Sequence, residues 1–391
     1  MILGRLEIAV AGCGTAGLAA ALLLHRDGHR VTLFDRFDAP RPIGSGLLIQ
    51  PSGQAALRAI GLEAELHARG ARITRLVGEA EGRTVLDVRY AALRGARLGI
   101  GIHRATLFDI LHDAVRAAGI TIATGHDVTG LEDGRLRFAR GMSAGGFDLI
   151  VDALGSHSPL APACGRWLDY GALWADLDWA GDLDPHALQQ RYRRASIMAG
   201  VLPIGSPRHA DRPHAALFWS LRADRLAAWR AAGLNAWKDQ VRALWPATAP
   251  LLDQIADPGQ LTFARYAHRT LARPAEPGLI HIGDAWHSTS PQLGQGANMA
   301  LLDAHALAIG LRRGRTLGDG LAETVRLRRD QIALYQALSR WLTPVYQSDG
   351  AILPWLRDRV MGPVSKRWPF TAIQAALVSG TVGNPLARLN L

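Results

Sequence analysis

The feature that most constrains the fold is a strand, a glycine turn, a helix and a second strand, which follow one another between residues 6 and 36. Residues 6–11 are a short apolar run of strand length, and residues 31–35 are a second such run. Gly28 is placed to end the intervening helix, because glycine readily adopts the left-handed conformation found after a helix C-terminus. The sequence therefore predicts a βαβ unit at the start of the chain.

The turn of this unit carries glycines with the spacing G-x-G-x-x-G. In βαβ units that bind dinucleotides, the first glycine makes the tight turn, the second lets a pyrophosphate approach the backbone, and the third lets the helix pack closely on the strand. Phosphates bind at the start of such a helix, where free N–H groups and the helix dipole favour negative charge. The predicted phosphate-binding turn comprises Gly12, Gly14, Thr15, Ala16 and Gly17.

An acidic residue ends the second strand. Asp35 lies roughly 20 residues after the glycine turn, where such folds place a carboxylate on the ribose hydroxyls. Arg36 follows it and is predicted to contact the same cofactor. A carboxylate at this point repels a ribose 2′-phosphate, so the pattern favours FAD or NAD over NADP.

Composition indicates a globular chain with a modest basic excess. With 391 residues, 48% of them hydrophobic and 20% charged, the chain is long enough for two domains. Its formal net charge is +10, and Lys238 and Lys366 are its only lysines. The arginines are dispersed and form no basic stripe interleaved with aromatic residues, so we expect no nucleic-acid partner.

The cysteines and the apolar runs bear on metal binding and location. Cys13 and Cys164 are too few for a cysteine metal framework, and a reduced, cytoplasmic chain is the simplest interpretation. The first strand begins close to residue 1, which leaves no room for a signal peptide. No apolar run approaches the ~20 residues of a membrane-spanning helix. We therefore expect no transmembrane segment, with peripheral membrane contact left open.

In the middle of the chain the sequence pattern changes from alternating strands and helices to clustered strands. Between about residues 165 and 275, runs such as GALWADLDWA, SIMAGVLPIG, HAALFWSLRA and TFARYAHRT read as strands, with one helical stretch at 224–245. Clustered strands without βαβ alternation predict an antiparallel sheet in a second domain. Aromatic residues on a sheet usually belong to the core, but three are candidates for a substrate pocket: Trp174, Trp219 and Tyr266.

A second glycine-rich loop lies far along the chain. Residues 278–282 read as a strand, the loop GDAWHSTSPQLGQGAN follows, and a helix with an apolar side begins near Asn298. This arrangement offers a second set of free N–H groups to an anion or an electron-rich ring. Arg104 opens another amphipathic helix, where its charge opposes the helix dipole and requires an anionic partner.

The residues from about 320 onward read as helical. Four prolines are expected to break this region into short pieces: Pro344, Pro354, Pro363 and Pro369. Its apolar residues could pack on the core or form an apolar surface, and we expect the core for Trp341, Leu342, Val345, Leu353, Trp355 and Leu356.

Over nearly its whole length the chain resembles the group A flavoprotein monooxygenases, the family of p-hydroxybenzoate hydroxylase and the ubiquinone-pathway hydroxylases. The resemblance is carried by the first glycine motif with Asp35, by Arg104, and by G-D-A-x-H-x-x-x-P-x-x-G-Q-G-x-N followed by A-x-x-D-A. The expected fold is α/β: a discontinuous Rossmann-like FAD-binding domain (1–165 and 276–320), an α+β substrate domain with an antiparallel sheet (166–275) and a helical C-terminal region (321–391).

The resemblance also implies residue roles. Asp35 would bind the adenosine ribose, Arg104 the pyrophosphate region and Asp284 the ribityl chain. Residues 296–298 would meet the pyrimidine edge of the flavin, Pro291 would lie near the flavin carbon that carries oxygen, and the segment 44–50 would lie beside the ring. The cofactor residues implied in these segments are Gly46, Arg104, Asp284, Pro291, Gly294, Gly296, Ala297 and Asn298.

One motif departs from the family pattern. The family usually has Asp-Gly after the strand that ends near residue 151, associated with FAD and NAD(P)H binding. Here the residues are Asp152-Ala153-Leu154-Gly155, with leucine at the usual aspartate position, and the usual downstream arginine is missing. FAD binding is still expected, whereas NADH, NADPH and a separate flavin reductase all stay open as the source of electrons.

The resemblance implies that reduced flavin reacts with O2 to a C4a-hydroperoxide, which transfers one oxygen atom to an aromatic or otherwise apolar small molecule. A reductase or halogenase of the same fold and a flavin-binding protein without turnover are the alternatives, although the W-x-W-x-I-P run of flavin halogenases is missing. His287 is expected to order its loop rather than to donate a proton. No catalytic acid or base, no metal ligand and no oligomeric state is assigned.

Overall fold

The computed structural model describes residues 3–38, 45–95, 97–207, 210 and 212–391. Gly44, in the segment expected to lie beside the flavin, is outside the described residues. The strands in chain order are β1 (Glu7–Ala11), β2 (Arg30–Phe34), β3 (Gly46–Ile49), β4 (Ala71–Ile73), β5 (Arg75–Ala80), β6 (Arg83–Arg89), β7 (Gly99–His103), β8 (Thr121–Ala123), β9 (Val128–Glu132), β10 (Arg135–Phe138), β11 (Ser143–Ala144), β12 (Leu149–Asp152), β13 (Arg166–Asp178), β14 (Ala187–Arg193), β15 (Ile197–Gly205), β16 (His214–Arg222), β17 (Thr262–Thr270), β18 (Ala275–Glu276), β19 (Leu279–His281) and β20 (His287–Ser288).

Helices alternate with the strands in the first third of the chain and dominate its last third. In chain order the α-helices are α1 (Thr15–Arg26), α2 (Pro51–Ile60), α3 (Glu63–Arg69), α4 (Arg104–Ala117), α5 (Leu226–Ala232), α6 (Leu234–Leu244), α7 (Ala249–Leu252), α8 (Gly296–Arg313), α9 (Leu317–Tyr346), α10 (Ile352–Leu356), α11 (Gly362–Ser365), α12 (Phe370–Val378) and α13 (Pro385–Arg388). A π-helical turn, Arg357–Met361, joins α10 to α11.

The predicted βαβ unit forms the centre of the first sheet, whose strand order is β18-β19-β12-β1-β2-β8. Strand β1 pairs in parallel with β2 on one side and with β12 on the other. The α1 side chains from Leu18 to Leu24 are buried, so this helix is enclosed by protein on its whole circumference. Gly28 adopts φ = +89° just after α1, which confirms its expected place at the helix end.

The second large sheet contains the four predicted strands of the middle region and more. Its order is β20-β17-β13-β16-β15-β14-β5-β6, with antiparallel pairs except for the parallel pair β14–β5. Helices α5 to α7 cover one face of this sheet, and the other face packs on β3, β4, β7 and α12. Strands β5 and β6 come from residues 75–89, so the sheet extends beyond the range 166–275 proposed for the substrate domain.

Two details of the sequence prediction were wrong. The single helix expected at 224–245 is two helices, because Gly233 adopts φ = +84° and separates α5 from α6. Pro344 does not break α9, which continues to Tyr346. Pro344 has no N–H to donate to the carbonyl four residues earlier, so one helical hydrogen bond is lost, but only two residues of α9 follow it.

The apolar residues of the C-terminal region do not all pack on the core, as had been expected. Val345 is buried and Leu342 is half-buried, but Trp341 is 77% exposed and Trp355 is 57% exposed. Leu353 and Leu356 are exposed as well. The prediction was wrong for these four residues because the helices present apolar side chains on their outer as well as their inner sides. Within the described ranges, no helix is both long enough and apolar enough to cross a membrane.

The layer of helices on the large sheet provides a test of its packing. Trp237 of α6 is 1% exposed, and its ring packs edge-on against Trp219 of β16. We predict that Trp237→Ala lowers the free energy of unfolding by about 3–5 kcal/mol, because it removes a large side chain that the sheet cannot collapse to replace. Urea denaturation measures this. The control, Trp167→Ala, removes a tryptophan that is 42% exposed; equal losses from both variants would contradict the assignment.

Candidate active site

The three glycines of the first motif have three different surroundings. Gly12 adopts φ = +105°, and a Cβ there would lie 2.5 Å from the carbonyl oxygen of Ala153. A Cβ at Gly17 would lie 1.9 Å from the carbonyl oxygen of Gly12. Gly14, in contrast, is exposed, and a Cβ there would reach only the Ala153 oxygen at 4.0 Å. The outer two glycines therefore permit close packing, and the middle one leaves space at the N-terminus of α1.

Asp35 is fixed at the tip of β2 by the glycine turn itself. Its Oδ2 accepts a hydrogen bond of 2.6 Å from the backbone N–H of Cys13. Its Oδ1 has only a long contact of 3.4 Å with the N–H of Phe37. Burial, followed by the nearby Asp35 charge, raises the pKa of the Cys13 thiol, which is therefore unreactive. One carboxylate oxygen of Asp35 thus has capacity for a ligand hydroxyl.

Asp284 lies in a cleft rather than on the outer surface. Its side chain is accessible to solvent, yet burial raises the pKa of its carboxyl group, an effect that the charges of His287 and Arg104 partly offset. A group that is accessible and surrounded by protein on most sides lines an internal space. No hydrogen bond from Asp284 to another described residue is present in the structure, so its oxygens are directed at that space.

A buried carboxylate holds the loop that carries Asp284. Oδ2 of Asp303, on α8, accepts 2.9 Å and 2.6 Å hydrogen bonds from the N–H of Gly283 and from Nε2 of His287. Oδ1 accepts a 2.7 Å bond from Arg328 on α9. Burial opposes ionisation of Asp303, but the charges of His287 and Arg328 and their hydrogen bonds hold its pKa below the usual value. His287 therefore orders the loop, as expected from the sequence.

The side chain of Asn298 is fully used within the protein. Its Oδ1 accepts a 2.8 Å bond from the backbone N–H of Gln50, and its Nδ2 donates to the carbonyl oxygens of Leu48 and Gly294. A Cβ at Gly53 would lie 2.2 Å from the same Oδ1. The Asn298 side chain thus joins the β3–α2 segment to the start of α8, and it is not directed at a ligand.

The two glycine turns meet in space. A Cβ at Gly283 would lie 3.1 Å from the Cβ of Ala16, so the second turn contacts the first helix directly. The charge of Arg104, at the start of α4, acts on the pKa values of both Asp284 and Tyr266. Residues from the beginning, middle and end of the chain therefore lie near one another here.

The predicted cofactor residues fall into two groups. Those that are buried pack the backbone: Gly12, Ala16, Gly17, Gly46 and Asn298. Those that are exposed or half-buried are candidates to line the cleft: Gly14, Thr15, Asp35, Arg36, Arg104, Asp284, Pro291, Gly294, Gly296 and Ala297. Gly46 belongs to the first group because a Cβ there would lie 2.6 Å from Ala216 and 2.7 Å from Ile204 on the large sheet.

The large sheet brings two of the three predicted pocket residues together. The indole N–H of Trp174 donates a 2.9 Å hydrogen bond to the hydroxyl of Tyr266. Burial raises the pKa of Tyr266 to about 12, against the effects of Trp174 and Arg104. Trp219 lies in the core between the opposite face of the sheet and α6, next to Trp237. Because side chains alternate between the faces of a strand, Trp219 is not part of the cleft.

Asp152 is also internal. Its Oδ2 accepts a 2.6 Å hydrogen bond from the hydroxyl of Ser158 and lies 2.6 Å from Nδ1 of His281, while its Oδ1 accepts a 3.0 Å bond from the N–H of Leu154. The carboxylate is completely buried. It therefore stabilises the turn that follows β12 and does not replace the aspartate expected two positions later.

The sequence placed Gln50 in the segment 44–50 and Asp303 in the A-x-x-D-A motif, but it assigned no side-chain role to Asp303, Gln50 or Gly53, which fix the loops around the site. A signal for Asp303 was present, because a carboxylate between Leu302 and Ala304 on an apolar helix must have buried partners. Gln50 and Gly53 gave no comparable signal, since their partner Asn298 is 245 or more positions away in the sequence.

Two glycine turns that meet in space, each followed by a carboxylate with an oxygen available to a ligand, are the arrangement of a dinucleotide-binding protein. Residues 5–139 and 216–323 match the family described as "FAD binding domain". The chain is 32% identical over 347 residues to 6-methylpretetramide 4-monooxygenase of Streptomyces rimosus, covering 83% of this chain and 80% of that protein. It is 26% identical to 3-amino-4-hydroxybenzoate 2-monooxygenase of Streptomyces cremeus, covering 77% of each chain.

The fold is shared with a solved oxygenase. The crystal structure of the tetrameric form of 2-methyl-3-hydroxypyridine-5-carboxylic acid oxygenase superposes with a TM-score of 0.79 at 21% identity, over 98% of both chains. This chain belongs to the group A FAD-dependent monooxygenases. The comparisons thus support the hydroxylase and not the reductase, halogenase or non-catalytic alternatives.

Substitution of an outer glycine is expected to affect folding, whereas substitution of the middle glycine is expected to affect FAD binding. Gly17→Ala places a methyl group against a backbone oxygen, so we expect loss of the folded protein. Gly14 has φ = −73°, which alanine adopts readily, so Gly14→Ala is expected to fold and to bind FAD at least about tenfold more weakly. Thermal unfolding and FAD titration of the apoprotein separate the two effects; normal FAD affinity of Gly14→Ala would contradict the assigned site.

Asp284 and Asp303 form a second matched pair. Asp284→Asn removes a charge that burial disfavours, so the apoprotein is expected to gain thermal stability at neutral pH while FAD binding weakens by about tenfold or more. Asp303→Asn leaves Arg328 without its buried partner and is expected to destabilise the protein by about 3–5 kcal/mol. A loss of apoprotein stability in both variants would show that Asp284 is structural.

The carboxylate of Asp303 also makes the stability of the protein depend on pH under acidic conditions. Because the folded-state pKa of Asp303 lies below its value in the unfolded chain, its contribution to stability is present above pH ~4 and is lost as the pH falls through the folded-state value. We expect Asp303→Asn to reduce the steepness of acid unfolding below pH ~4, measured by circular dichroism. An unchanged acid transition would contradict this.

Proposed function

We propose that the chain hydroxylates an aromatic small molecule held between the large sheet and the second glycine turn. The observation that carries the proposal is that the turn bearing Asp284 packs on the start of α1, with the charge of Arg104 near enough to act on both Asp284 and Tyr266. Similarity to enzymes whose names specify oxygenation of a hydroxybenzoate or a pretetramide at a numbered position supports an aromatic substrate for this chain. O2 is the proposed second substrate.

The residues present fit FAD in several respects. Gly14 leaves the start of α1 open to a pyrophosphate, and Asp35 retains a free oxygen for a ribose. Arg104 and Asp284 offer a cation and a carboxylate to the phosphates and the ribityl hydroxyls. The start of α8, with Gly294, Gly296 and Ala297, would take the pyrimidine edge, and Pro291 is accessible on the same loop. Bound FAD supplies the redox chemistry that activates O2 and transfers one oxygen atom to the substrate.

The protein's own contribution is positioning and exclusion of water. The Trp174 N–H fixes the Tyr266 hydroxyl, and burial raises the pKa of that hydroxyl to about 12, so it is protonated at neutral pH. Tyr266 can therefore donate its proton in a hydrogen bond to an acceptor on the substrate over the whole neutral range. The buried ring of Phe218, 4.7 Å from that of Trp174, supports the indole from the core. An apolar surface with one fixed hydrogen-bond donor suits an aromatic ring that bears an oxygen or nitrogen acceptor.

The turn at residues 152–155 bears on how electrons reach the flavin. With Asp152 buried and Leu154 half-buried, this turn offers no carboxylate to a nicotinamide cofactor. We infer that NADH or NADPH docks elsewhere or that a separate flavin reductase delivers the electrons. Anaerobic addition of NADH or NADPH to the yellow protein, with and without a general flavin reductase, distinguishes these routes by bleaching of the flavin.

The proposed function is tested by coupling. Candidate phenols, hydroxybenzoates and quinolones are supplied with an electron donor, and O2 uptake and product mass are measured. We expect one O2 consumed for each product that is 16 mass units heavier, because one oxygen atom is inserted and the other is reduced to water. Product formation without O2 would contradict a monooxygenase.

Tyr266→Phe tests the substrate contact. Removal of one hydrogen bond is expected to lower kcat/KM by about 3–10-fold for substrates that carry an acceptor and to leave FAD affinity unchanged. The control is Tyr192→Phe, on the same sheet, whose hydroxyl donates to Gln190. If both variants lose activity equally, Tyr266 does not bind the substrate.

A further inference from the structure

The outer side of the C-terminal helices carries most of the exposed apolar side chains. Among the described residues, thirteen large hydrophobic side chains are exposed, and ten of them lie between residues 341 and 373. We call these ten the C-terminal apolar surface: Trp341, Ile352, Leu353, Trp355, Leu356, Val360, Val364, Trp368, Phe370 and Ile373. A monomeric protein in water rarely exposes so many large apolar residues together.

The backbone beneath this surface is fixed to the body of the protein. Arg357 is completely buried and donates hydrogen bonds to the carbonyl oxygens of Val345 (3.2 Å) and Arg194 (2.9 Å). Gly362 packs on β6, where a Cβ would lie 3.3 Å from Cα of Val85. Ala375 of α12 is buried against the large sheet. The apolar side chains are therefore presented outward by an ordered layer and do not belong to a loose tail.

Among the described residues of this region, the charges without a partner of opposite sign are all positive. Its two acidic residues have partners within the protein: Asp349 accepts hydrogen bonds from Tyr170 and Arg222, and Asp358 pairs with Arg357 at 2.7 Å. Its exposed cations have no carboxylate partner among the described residues, and they are Arg340, Arg359, Lys366 and Arg367. An occupant of this surface must therefore be apolar and negatively charged.

We propose that the C-terminal apolar surface docks on an anionic lipid bilayer. Tryptophan and aliphatic side chains flanked by unpaired arginine and lysine are the composition of segments that lie in the membrane interface, with apolar groups at the acyl boundary and cations among the headgroups. A protein partner of the same chain would bring a second set of four cations against the first. Charge complementarity therefore favours lipid over a second copy.

Docking would bring the cleft close to the membrane. The C-terminal end of α12 contacts the second glycine loop and the start of α2: Gln295 donates a 2.5 Å hydrogen bond to the carbonyl oxygen of Val378, and the N–H of Ser52 donates to the carbonyl oxygen of Ser379. The helix that bears Phe370 and Ile373 is thus in contact with the segments that start α2 and α8. Membrane docking does not depend on the proposed reaction, and its test measures binding alone.

The test uses the flavin-loaded, full-length protein and sedimentation of sucrose-filled vesicles. Vesicles of phosphatidylcholine with phosphatidylglycerol are compared with vesicles of pure phosphatidylcholine, at low and at high salt. The apolar variant is Trp355→Ser with Trp368→Ser, and the charge variant is Arg359→Gln, Lys366→Gln and Arg367→Gln. Their controls are Trp167→Ser, an exposed tryptophan outside the surface, and Arg329→Gln, an exposed arginine outside it.

We expect binding to the anionic vesicles that weakens at high salt. The apolar variant should bind at least about tenfold more weakly, and the charge variant about 100-fold more weakly, since each cation near an anionic surface contributes about fivefold. Both controls should bind like the parent protein. Equal binding to both kinds of vesicle, equal losses in the controls, or no binding at all would overturn the proposal.

Light scattering tests the competing occupant. If the parent protein has twice the 42.1 kDa mass of one chain and the apolar variant has the mass of one chain, a second copy covers the surface and the lipid proposal is wrong. If the mass of the parent protein and of the apolar variant is the same, the surface is not a dimer interface, and the vesicle result stands.

Discussion

The buried carboxylate of Asp303 is the interaction on which the rest of the cleft depends. It joins the N–H of Gly283, the ring of His287 and the guanidinium of Arg328, and none of these groups could be buried at low cost without it. Because Gly283 also contacts Ala16, the same carboxylate sets the distance between the second glycine turn and the first. A charge with no access to solvent thus orders the loop that carries Asp284, whose own side chain is accessible.

The glycine motifs could be predicted from the sequence because their requirements are local. A close approach of backbones, such as that of Gly17 to Gly12, leaves glycine as the only choice and so marks the sequence directly. The hydrogen bonds between side chains that fix the loops of the site are harder to predict from the sequence. Asn298 was placed at the start of α8, but nothing in the sequence indicates that its side-chain amide bonds to Leu48 and Gln50.

The faces of the large sheet and the outer side of the C-terminal helices could not be predicted for a related reason. Trp174 and Trp219 lie on strands that are equally apolar in sequence. Trp219 is a core residue because α6 packs on its face of the sheet, whereas Trp174 lies on the opposite face beside Tyr266. Trp341 and Trp355 were expected in the core because apolar residues usually are. Hydrophobic composition alone does not say whether a second layer covers a helix, and here the described residues provide none.

The turn after β12 concerns only one part of the proposed reaction, the delivery of electrons to the flavin. The parts proposed to hold the flavin and the substrate, from Gly14 to Tyr266, keep accessible polar groups on the cleft. At residues 152–155 the only carboxylate, that of Asp152, lies in the protein interior, where it is hydrogen-bonded to Ser158, His281 and the Leu154 N–H. Its hydrogen bonds stabilise the turn against Gly12 without requiring any charge on the cleft side. A fold of this kind can therefore retain its flavin site while the route by which electrons reach the flavin is changed.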